Sequence, residues 1–588
     1  MEHTTSRDST TSRIATRLAT GQFDERLWLG LALTAGLLVY VSYLLTHQYP
    51  AYGAGLYVQI ADTISAHGYG LPPTVPGYTA EGVPLAYPPL MFYVVAAVRD
   101  LTGVDAFLLS RLLPGLVVLA TVVPYFYVAQ EFLGTPRRAA FASLVFAVAP
   151  PVLQWHLSAG GINRAPAFFF VVTGLFAGLR LFRHGDRRWL APGLVLFALT
   201  ILTHPLYAVC FGLNYLVLYA AFDRSPMGLV SGAIVAVGGV LVTAPWWLTV
   251  ASHHGFDVFF GAAGTHSGLG GGTGRLYDEF VQPIVVADAV TPFFVVTYAA
   301  GLYALWKRRF LVPAWLFVSA WVLGKTRFQF IAGGILVAQF VFAVVPALVA
   351  RLDAGTAPGW RRTASVLTVA LLSLSAVGVG VAYAGGMVDS HHGDPSQPAF
   401  VDSHDVEAMQ WAEANTAQSA DFVVLGDAAE WFPQQTGRSI LIGPWGVEWT
   451  TPARYEHQLN TFRDSSTCDD AACLTRFLES GSQSPEYVYV PKDGYTVRGM
   501  HHQQSPSMRD SLVESDRYTV VYENEGVVVV AVQEETAAVG TGEADAEKRG
   551  SDYGSVGVTV DRARAQWQGL QPLDIEPNAA VHPDGLGR

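Results

Sequence analysis

Apolar stretches of roughly twenty residues recur through the first two-thirds of the chain, separated by short polar or charged links. Those at 26–46, 107–129, 138–157, 165–182, 228–250, 287–305, 328–350 and 363–385 are long and apolar enough to cross roughly 30 Å of hydrocarbon as helices. The block 189–222 is apolar but broken at His204-Pro205, which predicts two spans meeting at an outer turn; 310–324 is a shorter span flanked by charge. Together they predict about eleven crossings between 26 and 386. The stretch 86–99 reads as a further helix that lies on the surface or re-enters it.

The loop 47–106 is the longest polar interruption, and it holds LYVQIADTISAHG followed by a Pro/Gly-rich run ending in AYPPLMFY. Tyr57, Ile60, Ala61 and Ile64 fall at i, i+3, i+4 and i+7, which predicts a helix lying flat on the membrane with Asp62 facing water. Beyond 386 the pattern changes to alternating helix and strand. Ser403 is placed to cap a helix over DVEAMQWAEAN; FVVLG, SILIG and YVYV read as strands; YTVVYENEGVVVVAV reads as a hairpin. Helical segments are expected around 452–480 and near 506–515. The expected class is a polytopic α-helical membrane protein with a C-terminal exterior α/β domain over 387–535. Residues 536–588, rich in Gly, Ala, Asp and Glu without periodicity, read as a disordered acidic tail.

Charge sets the orientation. Arg137-Arg138, Arg187-Arg188, Lys307-Arg308-Arg309 and Arg361-Arg362 fall on alternate links, which the positive-inside rule assigns to the cytoplasm together with residues 1–25. The first span then reads as a retained anchor of a cell-membrane protein whose C-terminal domain is exterior. The chain has four lysines against thirty-two arginines and a net charge of −12, a halophile-like balance that with the lack of a basic stripe argues against a nucleic-acid partner. Cys210 sits in an apolar span. Cys468 and Cys473, in CDDAAC, suit a short-loop disulfide outside the cell, or a zinc site if further ligands join them.

Lys325 and Arg327 precede a span whose N-terminus faces outward, a natural seat for a lipid phosphate or for ordinary head groups. Arg164 and His204 stand near outer span ends; each has a structural reading beside the substrate-binding one, Arg164 as the partner of a carboxylate and His204 as the turn of a His-Pro break. Asp62 and Glu81 are the carboxylates of the first loop: candidate catalytic bases, or simply solvated. GLGGGTG lacks the Lys-Ser/Thr of a phosphate loop and reads as a lid or a plain flexible loop. Adjacent His pairs at 253–254, 391–392 and 501–502 do not converge on one ion, so no cofactor is implied and a divalent metal is left open.

Tyr57-Val58-Gln59-Ile60-Ala61, Tyr87-Pro88-Pro89-Leu90, Leu202-Thr203-His204-Pro205 and Arg327-Phe328 resemble the GT-C superfamily of integral membrane glycosyltransferases, related to oligosaccharyltransferase and protein-mannosyltransferase-like proteins. Glu430-Trp431-Phe432-Pro433 followed by Thr436-Gly437-Arg438 is similar to GT-C-related prokaryotic membrane proteins, so the likeness covers most of 26–534. The resemblance implies a polyprenyl- or dolichyl-phosphate sugar donor, an exterior protein or glycan acceptor, as in protein glycosylation, and a catalytic acid in the first outer loop. That acid is expected a few residues before the helix tyrosine, where this chain reads Tyr52-Gly53-Ala54-Gly55-Leu56-Tyr57 and has no carboxylate. Asp62 or Glu81 then takes its place, or the chain keeps the fold as a non-catalytic polyprenyl-lipid binder or scaffold of surface-glycan assembly. A transporter is the third reading.

Overall fold

The computed structural model describes residues 24–264, 272–352, 358–390, 394–480 and 484–533. Residues 1–23, most of the GLGGGTG run, His391-His392 and the expected tail lie outside the described residues.

Six helices are long and apolar enough to cross a membrane: Glu25–Thr46, Ala106–Leu133, Gly161–Arg183, Pro205–Phe222, Thr326–Arg351 and Trp360–Ala384. Two further pairs, Pro136–Val148 with Pro150–His156 and Pro226–Val242 with Ala244–His254, are each bent by 53° and bring the number to eight if each pair is one span. A proline opens the second half of each pair, where it removes an amide donor and crowds the preceding turn. Shorter apolar helices run Leu190–Ile201, Thr291–Trp306 and Leu311–Leu323. Gly161–Arg183 is 72% buried across its apolar window and Trp360–Ala384 only 6%, so the first is the bundle's centre and the second its margin. Glycines on the central helix allow close approach: a Cβ at Gly174 would lie 2.0 Å from the Phe211 ring.

The C-terminal part carries a five-stranded mixed sheet of β1 (Asp421–Val424), β2 (Ser439–Ile440), β3 (Tyr487–Pro491), β4 (Tyr518–Glu523) and β5 (Val527–Val532). Their order is β4-β5-β3-β1-β2; β1 runs parallel to β2 and β3, while β4, β5 and β3 are antiparallel neighbours. Helices Ser403–Asn415, Pro452–Ser466, Ala471–Ser480 and Pro506–Glu514 accompany the sheet where the pattern placed them. The cap of the first is Asp402 rather than Ser403, because Asp402 and Asp405 complete a reciprocal capping box. Arg438 donates to the carbonyls of Glu413 and Thr416 at 2.7 and 2.6 Å, closing that helix's C-terminal end.

This part does not stand apart from the first loop. Tyr78 bridges Ile440 in parallel, with Thr79 N donating to Ile440 O at 2.9 Å and Ile440 N to Gly77 O at 2.8 Å, so the loop extends the sheet beyond β2. One apolar cluster runs from Tyr57, Ile60, Ile64, Phe92 and Val95 to Trp431, Phe432 and the sheet valines. The helix Gly55–Ala66 lies inside that cluster, with Leu56, Val58 and Thr63 buried alongside the predicted stripe. Its apolar stripe therefore faces protein rather than lipid. The sequence stripe is the same for lipid and protein burial, and here Leu90–Thr102 and Phe432–Thr436 cover it.

Candidate functional site

The segment Ala51–Gly55 is the meeting point of three regions. Ala51 O accepts from Ala159 N at 2.9 Å, Tyr52 N donates to Pro398 O at 3.0 Å, and Ala51 bridges Ala399. Tyr52 takes a left-handed φ of 55°, a strain held by its ring packing on Trp155 and Phe400. Glu430 then approaches from the C-terminal part. A Cβ built on Gly53 would lie 1.7 Å from Glu430 Oε2, and one on Gly55 would lie 1.9 Å from Glu430 O. Position 55 must be glycine for the two segments to meet, because the obstacle there is main chain, whereas at position 53 the obstacle is the Glu430 side chain. Tyr78 fixes the approach by donating its hydroxyl to Glu430 O at 2.5 Å.

One cation of the bundle, Arg164, lies near enough for its charge to act on this carboxylate, and two more lie near Arg164. Arg164 Nη1 donates to Gly160 O at 3.2 Å, and its guanidinium lies over Trp155 at 5.2 Å. A Cβ on Gly160 would meet Arg164 Nη1 at 2.3 Å and Gly53 O at 4.0 Å, so the arginine tip and the Gly53 carbonyl flank one point. Arg327 is buried with its guanidinium over Tyr207 at 5.5 Å, and the His204 ring meets the same tyrosine edge-on at 4.9 Å. The Tyr207 hydroxyl bonds His156 Nε2 at 2.6 Å. Lys325 is near enough for the charges of Arg327 and Arg164 to act on it. Among the described residues none of these three cations forms a salt bridge with a carboxylate. Arg164, His204, Lys325 and Arg327 thus lie near one another around Tyr207.

Aromatic rings pack together beside these residues. Tyr57 meets Tyr87 at 5.6 Å, Tyr87 packs on Trp449 at 4.8 Å, and the Tyr87 hydroxyl donates to Glu448. Leu90 N donates to Leu202 O at 2.9 Å, which joins the YPPL and LTHP turns directly. Burial pushes the Glu430 carboxyl up to about 8, with Asp427 and Glu448 adding to the rise and Arg498 and Arg164 opposing it. Burial raises Glu448 as well. A further carboxylate, Glu279, accepts from Gln329 Nε2 at 2.5 Å; burial lifts it to about 7 while Lys325 and Arg275 pull it down.

The two predicted bases do not join this group. Asp62 pairs with Arg99 and accepts from Gln434 Nε2 at 3.1 Å; Glu81 is 79% exposed and pairs with Arg454 at 3.3 Å. Asp62 lies seven residues beyond Gly55 on the same helix, roughly 10 Å away along the axis at 1.5 Å per residue. Glu430 and Glu448 were missed as chemistry because they lie more than 370 positions from Gly53 and Tyr57. The available signal was the pair of glycines in YGAGLY, which marks a close approach whose partner the sequence does not name. Cys468 and Cys473 form a disulfide, remote from the cleft in sequence. Among the described residues no group of three or more His, Cys, Asp or Glu is placed to hold a metal ion.

No protein-family model matches this chain, and no curated protein matches it in sequence. Its fold is that of the GT-C membrane glycosyltransferases. The mycobacterial arabinofuranosyltransferase AftD aligns with a TM-score of 0.52 and 16% identity over 87% of this chain, which spans 40% of that longer protein. ArnT from Cupriavidus metallidurans aligns with a TM-score of 0.50 and 15% identity over 86% of this chain and 97% of its own. The oligosaccharyltransferase AglB from Archaeoglobus fulgidus, solved with an inhibitory peptide and a dolichol-phosphate, gives a TM-score of 0.49 and 12% identity over 86% of this chain and 76% of its own.

Proposed function

We propose that this protein is a membrane glycosyltransferase that moves a sugar from a polyprenyl-phosphate carrier to a protein or glycan acceptor on the exterior face, with inversion at the anomeric carbon. The observation that carries the reading is the convergence of Arg164, Lys325 and Arg327, three cations without a carboxylate partner among the described residues, at one end of an apolar bundle. A phosphodiester at the membrane boundary supplies the missing anion while its isoprenoid tail stays in hydrocarbon. His204 and the rings of Tyr57, Tyr87 and Trp449 offer the sugar polar and stacking contacts.

Counting each bent pair and each of the three shorter apolar helices as one crossing gives eleven spans. With the N-terminus in the cytoplasm, Gly53, Arg164, His204, Lys325 and the whole of 387–535 then fall outside, in the cell-membrane orientation that the Lys/Arg bias indicates. The exterior α/β domain would select the acceptor. Asp62 and Glu81, paired at the surface, carry no role in this reading.

Binding of radiolabelled polyprenyl phosphate to the protein in lipid nanodiscs tests it. Each charge-assisted contact is worth about 1.5–3 kcal/mol, so Arg164→Ala and Arg327→Ala should each weaken binding by about 10- to 150-fold. Binding unaffected by either change would refute the phosphate grip. A non-catalytic lipid binder would show the same binding, and the state of the Glu430 carboxylate is what favours chemistry over it.

A further inference from the structure

Five buried carboxylates outside the bundle, Glu279, Asp394, Asp427, Glu430 and Glu448, and the half-buried Asp405 define a comparison; Asp394 accepts from His501 N at 3.0 Å. Asp427 accepts from the amides of Arg498 and Gly499 at 2.8 and 2.7 Å. Asp405 accepts from the Tyr489 hydroxyl at 2.5 Å and from Asp402 N at 2.8 Å. Glu448 accepts from Tyr87, and Glu279 from Gln329. Glu430 differs. It is 8% exposed, yet among the described residues its carboxylate accepts no hydrogen bond and forms no salt bridge; only its main-chain oxygen is held, by Tyr78. Its carboxylate oxygens are not sealed from solvent as Asp394 Oδ2 is, so the carboxylate stays open on the side where the Arg164 charge reaches it, which makes it a candidate for function rather than support.

Its position is equally specific. The carboxylate occupies the space that a side chain at position 53 would fill, since a Cβ there would lie 1.7, 2.1 and 2.7 Å from Oε2, Cδ and Oε1 of Glu430. Gly53 does not have a positive φ, so its backbone would accept an ordinary residue. The obstacle is the glutamate alone.

We infer that Glu430, carried on the C-terminal α/β part, is the catalytic carboxylate of this cleft, reaching across to fill the place of an acid absent from position 53. This rests on the proposed transferase reading. In the step it serves, the acceptor hydroxyl oxygen bonds to the anomeric carbon while the bond from that carbon to the phosphate oxygen breaks. The electron pair leaves on the phosphate, held by Arg164, Lys325 and Arg327, and the hydroxyl proton passes to the Glu430 carboxylate. The raised proton affinity given by burial suits that acceptor role. Arg164, Arg498, Asp427 and Glu448 are the charged groups that tune it, with Tyr57 and Tyr78 as its neutral neighbours.

The test uses full-length protein in proteoliposomes with radiolabelled polyprenyl-phosphate mannose, glucose and arabinose as donors and extracted membrane peptides and glycans as acceptors. Wild type should transfer label, and Glu430→Gln should lower kcat by about 100-fold or more with donor affinity within about threefold, the scale of a lost general base. The double variant Glu430→Ala/Gly53→Asp should regain at least about tenfold over Glu430→Ala, because the acid returns to the same place from the other chain segment. If Glu430→Gln does not fold, Glu430→Asp replaces it and should give an intermediate rate. Transfer by wild type that is unchanged in Glu430→Gln overturns the inference and leaves the transferase reading standing. Loss of donor affinity in parallel with rate overturns it too, since the residue would then be structural. A wild type inert towards every donor removes both.

Discussion

Removing the glycines beside Glu430 separates a side-chain obstacle from a backbone one. At Gly53 the new methyl would lie 1.7 Å from Glu430 Oε2, and real Cβ contacts under 3.0 Å essentially do not occur, so the carboxylate must retreat by at least 1.3 Å. At Gly55 the methyl would lie 1.9 Å from Glu430 O and 2.7 Å from Trp431 Cα, both main-chain atoms next to the fully buried Trp431 ring. Overpacking of this kind costs about 1–3 kcal/mol. Gly53→Ala should therefore cost about 1–3 kcal/mol in wild type. In a Glu430→Ala background its cost should vanish or reverse by a few tenths, as the unfolded chain loses freedom. Gly55→Ala should cost as much or more, and Glu430→Ala should not relieve it. Denaturant titration in detergent, followed by tryptophan fluorescence, reads all six proteins, and the cycle isolates a coupling of about 1–3 kcal/mol at position 53. Equal costs for Gly53→Ala in both backgrounds would refute the placement of Glu430.

Four other outcomes follow. With its carboxyl raised by burial to about 8, Glu430 should make the transfer rate climb with pH through about 8 and then level off, and that rise should disappear in Glu430→Gln. The same group takes up a proton on folding between its ordinary 4.5 and about 8, so stability should fall as pH rises across that window, by roughly 5 kcal/mol at most; pH-dependent melts of wild type against Glu430→Gln measure it. Asp62→Asn breaks only a part-exposed ion pair and should cost about 0.2–1 kcal/mol by denaturant titration, without the loss of transfer expected of a base. Reducing Cys468–Cys473, five positions apart, should lower stability by about 2 kcal/mol through loop entropy, read as a melting shift with and without reductant.

The six to eight long apolar helices, the break at His204-Pro205 and the β-strands of the C-terminal part were legible because each is written in local hydrophobic period and turn residues. The cations that gather around Tyr207 stood out for a different reason. Arg164, His204, Lys325 and Arg327 interrupt otherwise apolar surroundings at span ends, where a polar residue is costly enough to stand out. The carboxylates were not. Asp62 and Glu81 drew attention by lying in the first loop, yet loops carry solvated acids routinely, and Arg99 and Arg454 claim both. Glu430 lies in AEWFP beside a tryptophan and a proline, and its meeting with Gly53 is a tertiary event across 377 positions that no local period encodes. The helix Gly55–Ala66 misled in the same way: an apolar stripe states that it will be covered, not whether lipid or protein covers it.

Anomeric configuration is the most direct measurement of the central claim. Wild-type protein in proteoliposomes, given polyprenyl-phosphate mannose, glucose or arabinose of known configuration labelled at the anomeric carbon, should release the lipid phosphate and yield a product of opposite configuration by NMR, with the yield collapsing in Arg164→Ala/Arg327→Ala. Lipid phosphate that binds the cleft while its sugar stays attached, or product of retained configuration, would contradict a single displacement at this site.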